Sequence, residues 1–150
     1  MKKFKYKLDA LLKLKEFNEK KIKVELGEIL KEIQLTEDRI EKLNRDIDEA
    51  YGLQGTILSG EAKGEMLQFI PYFIQGKKQD ILNTTTVLNS LKKRYELKLE
   101  ELRSARGEVK VLENHKDKEK TDWRKEVDKW QMQQTEEIVL MRDYYKKEMS

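Results

Sequence analysis

IKVELGEILKEIQLTEDRIEKLNRDIDEAYGLQGTI, residues 22–57, returns to one face of a helix at alternating steps of four and three. The positions are Ile22, Leu26, Ile29, Ile33, Thr36, Ile40, Leu43, Ile47, Ala50, Gln54 and Ile57, and only Thr36 and Gln54 are polar. Ten steps cover 35 residues, a mean of about 3.5, which is the heptad spacing of a coiled coil. Such a seam is narrow, so the rest of the helix surface is left to charged residues.

The composition agrees with that reading. Of the 150 residues, 41% are charged and 37% hydrophobic, against roughly 25% and 45–50% in an average globular domain. A chain so polar is a candidate for disorder, but disordered segments lack a regular apolar spacing. The absence of cysteine removes disulfides, thiolate metal sites and thiol nucleophiles together. The lysine-rich start, MKKFKYKLDALLKLKEF, has no apolar core of signal-peptide type. No window approaches the ~20 apolar residues of a membrane span. These features fit a soluble, cytoplasmic protein. The net charge is only +3, from 32 basic and 29 acidic residues, so the total gives no support to nucleic-acid binding.

Upstream of Ile22, the residues Leu8, Leu11, Leu12, Leu14 and Phe17 continue an apolar face in looser register. A second stripe runs Leu88, Leu91, Tyr95, Leu99, Leu102, Ala105, Val109 and Leu112. It then passes Lys116 and Glu119 to reach Trp123, Val127, Trp130, Gln134, Ile138, Met141 and Tyr145. Its mean step is about 3.6, so it drifts from a strict heptad. The two charged positions predict looser packing there, with Trp123 and Trp130 restoring contact beyond them.

Between the stripes, residues 52–76 hold five of the seven glycines and the only proline, Pro71, which is where a helix should break. The expected architecture is all-α: a long antiparallel two-helix coiled-coil hairpin with a Gly/Pro-containing connection, forming a single elongated domain. The first helix is expected over about 5–58, the connection over 59–64 and the second helix over 65–148. Pro71 either kinks the second helix or marks its true start. The two seams paired this way should bring Leu11 and Leu12 near residues 138–145. An intermolecular dimer with the same seams is the alternative.

MLQFIPYFI, residues 66–74, gathers Met66, Leu67, Phe69, Ile70, Tyr72, Phe73 and Ile74 around that proline. They cover more than one helical face, so a two-helix hairpin cannot bury them all. Some extend the seam against Ile47, Ala50 and Tyr51, and the others either cap the hairpin or form an exposed patch for a partner.

Signals for catalysis are absent. His115, the lone histidine, lies between Asn114 and Lys116 on a charged stretch and reads as a surface residue. Metalloprotease, nucleophile-elbow and phosphate-loop motifs do not occur, and Gly76-Lys77 is followed by another lysine. Acidic pairs such as Glu100-Glu101 and Glu136-Glu137 read as solvated faces or interhelical partners. No enzyme, cofactor or metal site is expected. The notable charges are the nine lysines of residues 1–23, set against Asp9, Glu16 and Glu19. They either keep that end soluble or dock it on acidic protein loops. A lysine-rich amphipathic start could also lie on an anionic membrane surface.

The stretch FKYKLDALLKLKE (Phe4 to Glu16), with its aromatic-x-aromatic-x-Leu opening, resembles the FliJ family of flagellar export proteins. SARGEVKVLEN (Ser104 to Asn114) is similar to that family's Ala-x-x-x-x-Lys-x-Leu-Glu segment, and Glu136-Glu137 with the basic tail sits where the family has its Asp-Glu. The resemblance implies an antiparallel coiled coil like the central stalk of a rotary ATPase, cytoplasmic and peripheral at the inner face of the cell membrane. It implies three partners: the flagellar export ATPase, the export gate membrane protein and the export chaperones, with membrane association only through them. The ATPase-binding tip would comprise Lys5, Lys7, Lys13 and Lys15 with Arg142, Lys146 and Lys147. The gate-binding patch would comprise Tyr51, Phe69, Tyr72, Phe73 and Ile81, though Pro71 inside the segment departs from the family's pattern. A structural coiled-coil scaffold and the stalk of a virulence-type secretion system are the competing readings.

Overall fold

A computed structural model describes residues 3–58, 60 and 64–149. The chain is an all-α helical hairpin of two helices, α1 (Asp9–Leu58) and α2 (Gly64–Met149). Each opens with a carboxylate in its first turn, Asp9 and Glu65, where the macrodipole favours negative charge. Contacts cluster into two compact units: Lys20–Arg103, and a second that joins the residues up to Glu19 with those from Ser104 onward.

In the Lys20–Arg103 unit the helices pair antiparallel. Ile29 and Ile33 pack with Leu88 and Leu91, while Ile47 and Ala50 pack with Ile70 and Ile74. All eleven heptad positions from Ile22 to Ile57 are buried or half-buried. Their partners on α2 begin earlier than the expected Leu88: Leu67, Ile70, Ile74, Lys77, Ile81 and Thr84 continue the same three-and-four spacing upstream. Interhelical ion pairs flank the seam at Glu25–Lys98 (2.6 Å), Asp46–Lys77 (3.4 Å) and Glu37–Lys92 (4.0 Å). Lys98, held also by Glu101, has its pKa raised, first by its hydrogen bond to Glu25. The same bond leads in holding the Glu25 carboxyl below its ordinary value.

Pro71 does not start α2; seven helical residues precede it and the helix runs on beyond it. A proline inside a helix forfeits one backbone hydrogen bond and costs about 3 kcal/mol. Burial of Ile70 and Ile74 on either side, at 4% and 6% exposure, offsets that cost.

In the second unit α1 begins at Asp9 rather than near residue 5. The Asp9 amide donates to the Tyr6 carbonyl and the Leu12 amide to the Leu8 carbonyl, so the chain turns into the helix from a non-helical segment, residues 3–8. That segment packs all the same. Tyr6 and Leu12 are buried with Val109, flanked by Phe4 and Leu112. Ion pairs Lys15–Glu108, Glu19–Arg106 and Asp9–Lys116 border the contact. The looser apolar face expected upstream is corrected: Leu12 alone is buried, whereas Leu14 and Phe17 are 61% and 68% exposed. The heptad enters this unit through Lys15, Glu16 and Glu19, whose long stems half-bury along the seam.

Candidate interaction surfaces

The expected approach of Leu11 and Leu12 to residues 138–145 is not made. Leu12 packs on Val109 and Leu112, and Phe4 meets Trp123 with ring centroids 5.9 Å apart. Val127 is the last half-buried residue of α2, and residues 128–149 are all exposed. The reason lies in length. Only residues 59–63 separate the helices, which fixes the register, and α2 has 86 residues against 50 in α1. The surplus runs past the beginning of α1.

This overhang carries on the face that packs against Leu12 and Tyr6. Trp130, Ile138, Met141 and Tyr145 share that face, at 43%, 64%, 66% and 62% exposure. Trp123 thus restores contact beyond Lys116 and Glu119 as expected, but Trp130 does not. The spacing also changes. Buried and half-buried positions alternate by three and four from Leu67 to Glu119. Afterwards Val127, Ile138 and Met149 recur every eleven residues, as do Trp123, Gln134 and Tyr145. An eleven-residue repeat averages about 3.67 per turn, close to the natural helix period, and does not demand the left-handed winding of a heptad. This change of period, read only as drift in the sequence, was the available signal for a stretch that no described residue of its own unit buries.

The structure separates the expected tip residues. Lys13 pairs with Asp9 at 3.3 Å, a contact that leads in lowering the Asp9 pKa, and Lys15 pairs with Glu108 at 2.9 Å. Lys5 and Lys7 are exposed on a shallow groove floored by Phe4 and Trp123, where Glu119, Asp122 and Glu126 face them. That groove is mixed in charge rather than electropositive. Arg142, Lys146 and Lys147 lie on the overhang, and the two lysines, in the last turn of α2, complement its macrodipole.

His115 is exposed, as its reading as a surface residue expects, and it also has a defined structural role. Its Nδ1 lies 2.6 Å from the Tyr6 hydroxyl, and its Nε2 lies 3.4 Å from Glu119. Burial, then the Glu119 charge, pushes the Tyr6 pKa up. The ring therefore pins the segment before α1 onto α2.

The five residues of the expected gate patch fall in three places. Ile81 is half-buried in the seam beside Ile47 and Ile74. Phe69 and Phe73, ring centroids 6.2 Å apart, line a groove on one side of the seam with Leu53, Ile57 and Met66. Tyr51 lies on the other side with Pro71 and Gln75, under the Lys78 ammonium. Tyr72, 77% exposed, lines neither.

Among the described residues no group of histidines and carboxylates could hold a metal ion, and no helix is long and apolar enough to cross a membrane. A family model described as flagellar FliJ protein matches residues 4–148. The chain belongs to the FliJ family. It is therefore a non-catalytic component of the flagellar protein export apparatus. No curated protein and no solved structure matches it.

Proposed function

We propose that the chain binds the flagellar export ATPase ring as a stalk and links it to the export gate membrane protein and to substrate chaperones, on the cytoplasmic face of the membrane. The observation that carries this reading is the overhang. Residues 128–149 would span roughly 33 Å at 1.5 Å per residue, and they present an apolar face that none of the described residues of the second unit buries. A single helix of that length is marginal in water without tertiary packing, so it is suited to gaining a partner. A face that runs straight along an unwound helix fits entry into a ring better than winding about one other helix. The basic residues Arg142, Lys146 and Lys147 on the same stretch would meet acidic loops and speed association. Phe69 and Phe73 support the gate contact, since exposed aromatic side chains anchor interfaces.

The test is to mix the chain with the export ATPase and follow ring formation and ATP turnover. Stimulation is expected with the native chain, and its loss with Trp130, Ile138 and Met141 all changed to Ser. Charge reversal at Lys5, Lys7, Arg142, Lys146 and Lys147 should slow stimulation, with an effect that shrinks as salt rises. Undiminished stimulation by the triple variant would remove the overhang from the mechanism. No stimulation by the native chain would leave only a structural coiled coil.

A further inference from the structure

The groove beside Phe69 and Phe73 is built by both helices. From α1 come Leu53 and Ile57, from α2 Met66, Phe69 and Phe73, and Ala50 and Ile70 of the seam form its floor. Its volume is about 320 Å³, at the lower end of the ~300–1,000 Å³ range of ligand pockets. Among the described residues that line it, two are charged and both are carboxylates, Asp46 and Glu49. Asp46 is already engaged: Lys77 stands 3.4 Å from it, with its ammonium 5.2 Å from the centre of the Phe73 ring. Glu49 has no cation beside it among the described residues. The groove thus contains one filled site for an ammonium between a carboxylate and an aromatic ring, and a second carboxylate without one.

We infer that this groove receives a partner helix that inserts a large apolar side chain between Leu53 and Phe69 and sets a lysine or arginine against Glu49. Two antiparallel helices with an apolar furrow between them are a natural seat for a third. Glu49, the carboxylate left without an ammonium, selects the sign of the charge the third must carry, since a like charge there would be repelled. The inference rests on the reading of Phe69 and Phe73 as the gate contact. It adds the α1 side of the surface, which no motif in the sequence marks, and the chemistry of the partner segment.

The experiment titrates the soluble part of the export gate protein against the full chain and four variants: Phe69→Ala, Leu53→Asn, Glu49→Gln and Glu49→Lys. Leu53 is 53% exposed and Glu49 lies on the surface, so these changes should leave helicity and melting temperature as they are, which circular dichroism checks. The inference expects Leu53→Asn and Glu49→Lys each to weaken binding about tenfold or more, roughly the effect of losing a small hot-spot residue. Glu49→Gln should weaken it less and flatten its salt dependence. If Phe69→Ala abolishes binding while Leu53→Asn and Glu49→Lys bind like the native chain, the gate reading stands and the groove is excluded. If the native chain does not bind at all, the gate reading fails and takes the inference with it.

Discussion

Two stretches of α2 lie side by side in sequence and behave differently. Residues 104–127 place Ala105, Val109 and Leu112 against Tyr6, Leu12 and the start of α1. Residues 128–149 present the same helical face, with comparable apolar side chains, to solvent. Hydrophobicity does not separate them; spacing does. The heptad persists while α1 is alongside, and an eleven-residue period replaces it where α1 is not. A helix thus records in its period which partner it is shaped for: one that winds round it, or one that leaves it straight.

The largest effect should come from placing a charge on that face on either side of the divide. Val109→Asp buries an uncompensated carboxylate at a site 5% exposed and should cost about 3–5 kcal/mol. Ile138→Asp, at 64% exposure, should stay within about 0.5 kcal/mol. Denaturant titration of both variants decides the matter, and equal losses would erase the distinction. Hydrogen exchange should show the next largest contrast. Amides of residues 128–149 should exchange through local fraying, well ahead of those of residues 104–116, where Ala105, Val109, Leu112 and Lys116 are buried or half-buried. Exchange as slow in the overhang as in the paired stretch would mean that something covers it.

A smaller effect is expected at the clasp that fixes the segment before α1. Tyr6→Phe and His115→Ala each remove the 2.6 Å hydrogen bond. Both should lower the melting temperature by less than Val109→Asp, with no further loss in the double variant. Additive losses would show that the two side chains act separately. The smallest effect is electrostatic. Glu25 is held below its ordinary value of 4.5 by Lys98, so its stabilisation is present above that pH and is lost as pH falls through the lowered value. The melting temperature of Glu25→Gln should therefore lie below the native one at neutral pH, and the gap should close in acid. A gap that persists in acid would mean the substitution acts through packing.

Much of the fold was legible because the first seam obeys one rule without interruption. Ile22 to Ile57 repeat at heptad spacing, and every position is buried or half-buried. The second seam was harder to read because Lys77, Thr84 and Lys98 occupy seam positions with long stems or a small hydroxyl side chain, which a count of apolar residues passes over. Register was misjudged for a different reason. Matching the chain ends ignores the 36-residue excess of α2 over α1, and the short connection transfers that excess to the overhang. Of the surfaces, Phe69 and Phe73 could be found from the apolar cluster around Pro71. Their separation from Tyr51, Tyr72 and Ile81 depends on angles about the helix axis, and the contributions of Leu53 and Glu49 come from the other helix altogether. The Tyr6–His115 contact spans 109 positions of sequence, and no local pattern announces it.

The most direct test of the overhang is a pair of distances between spin labels in the second unit. Labels at Lys13 and Lys110 should lie as close as neighbouring helices allow, with axes ~8–10 Å apart plus the length of the labels. Labels at Lys13 and Arg142 should instead lie about 50 Å apart, since Arg142 is 32 helical residues, or about 48 Å of axial rise, farther along α2. A Lys13–Arg142 distance as short as Lys13–Lys110 would fold the overhang back onto α1 and contradict a free face on α2.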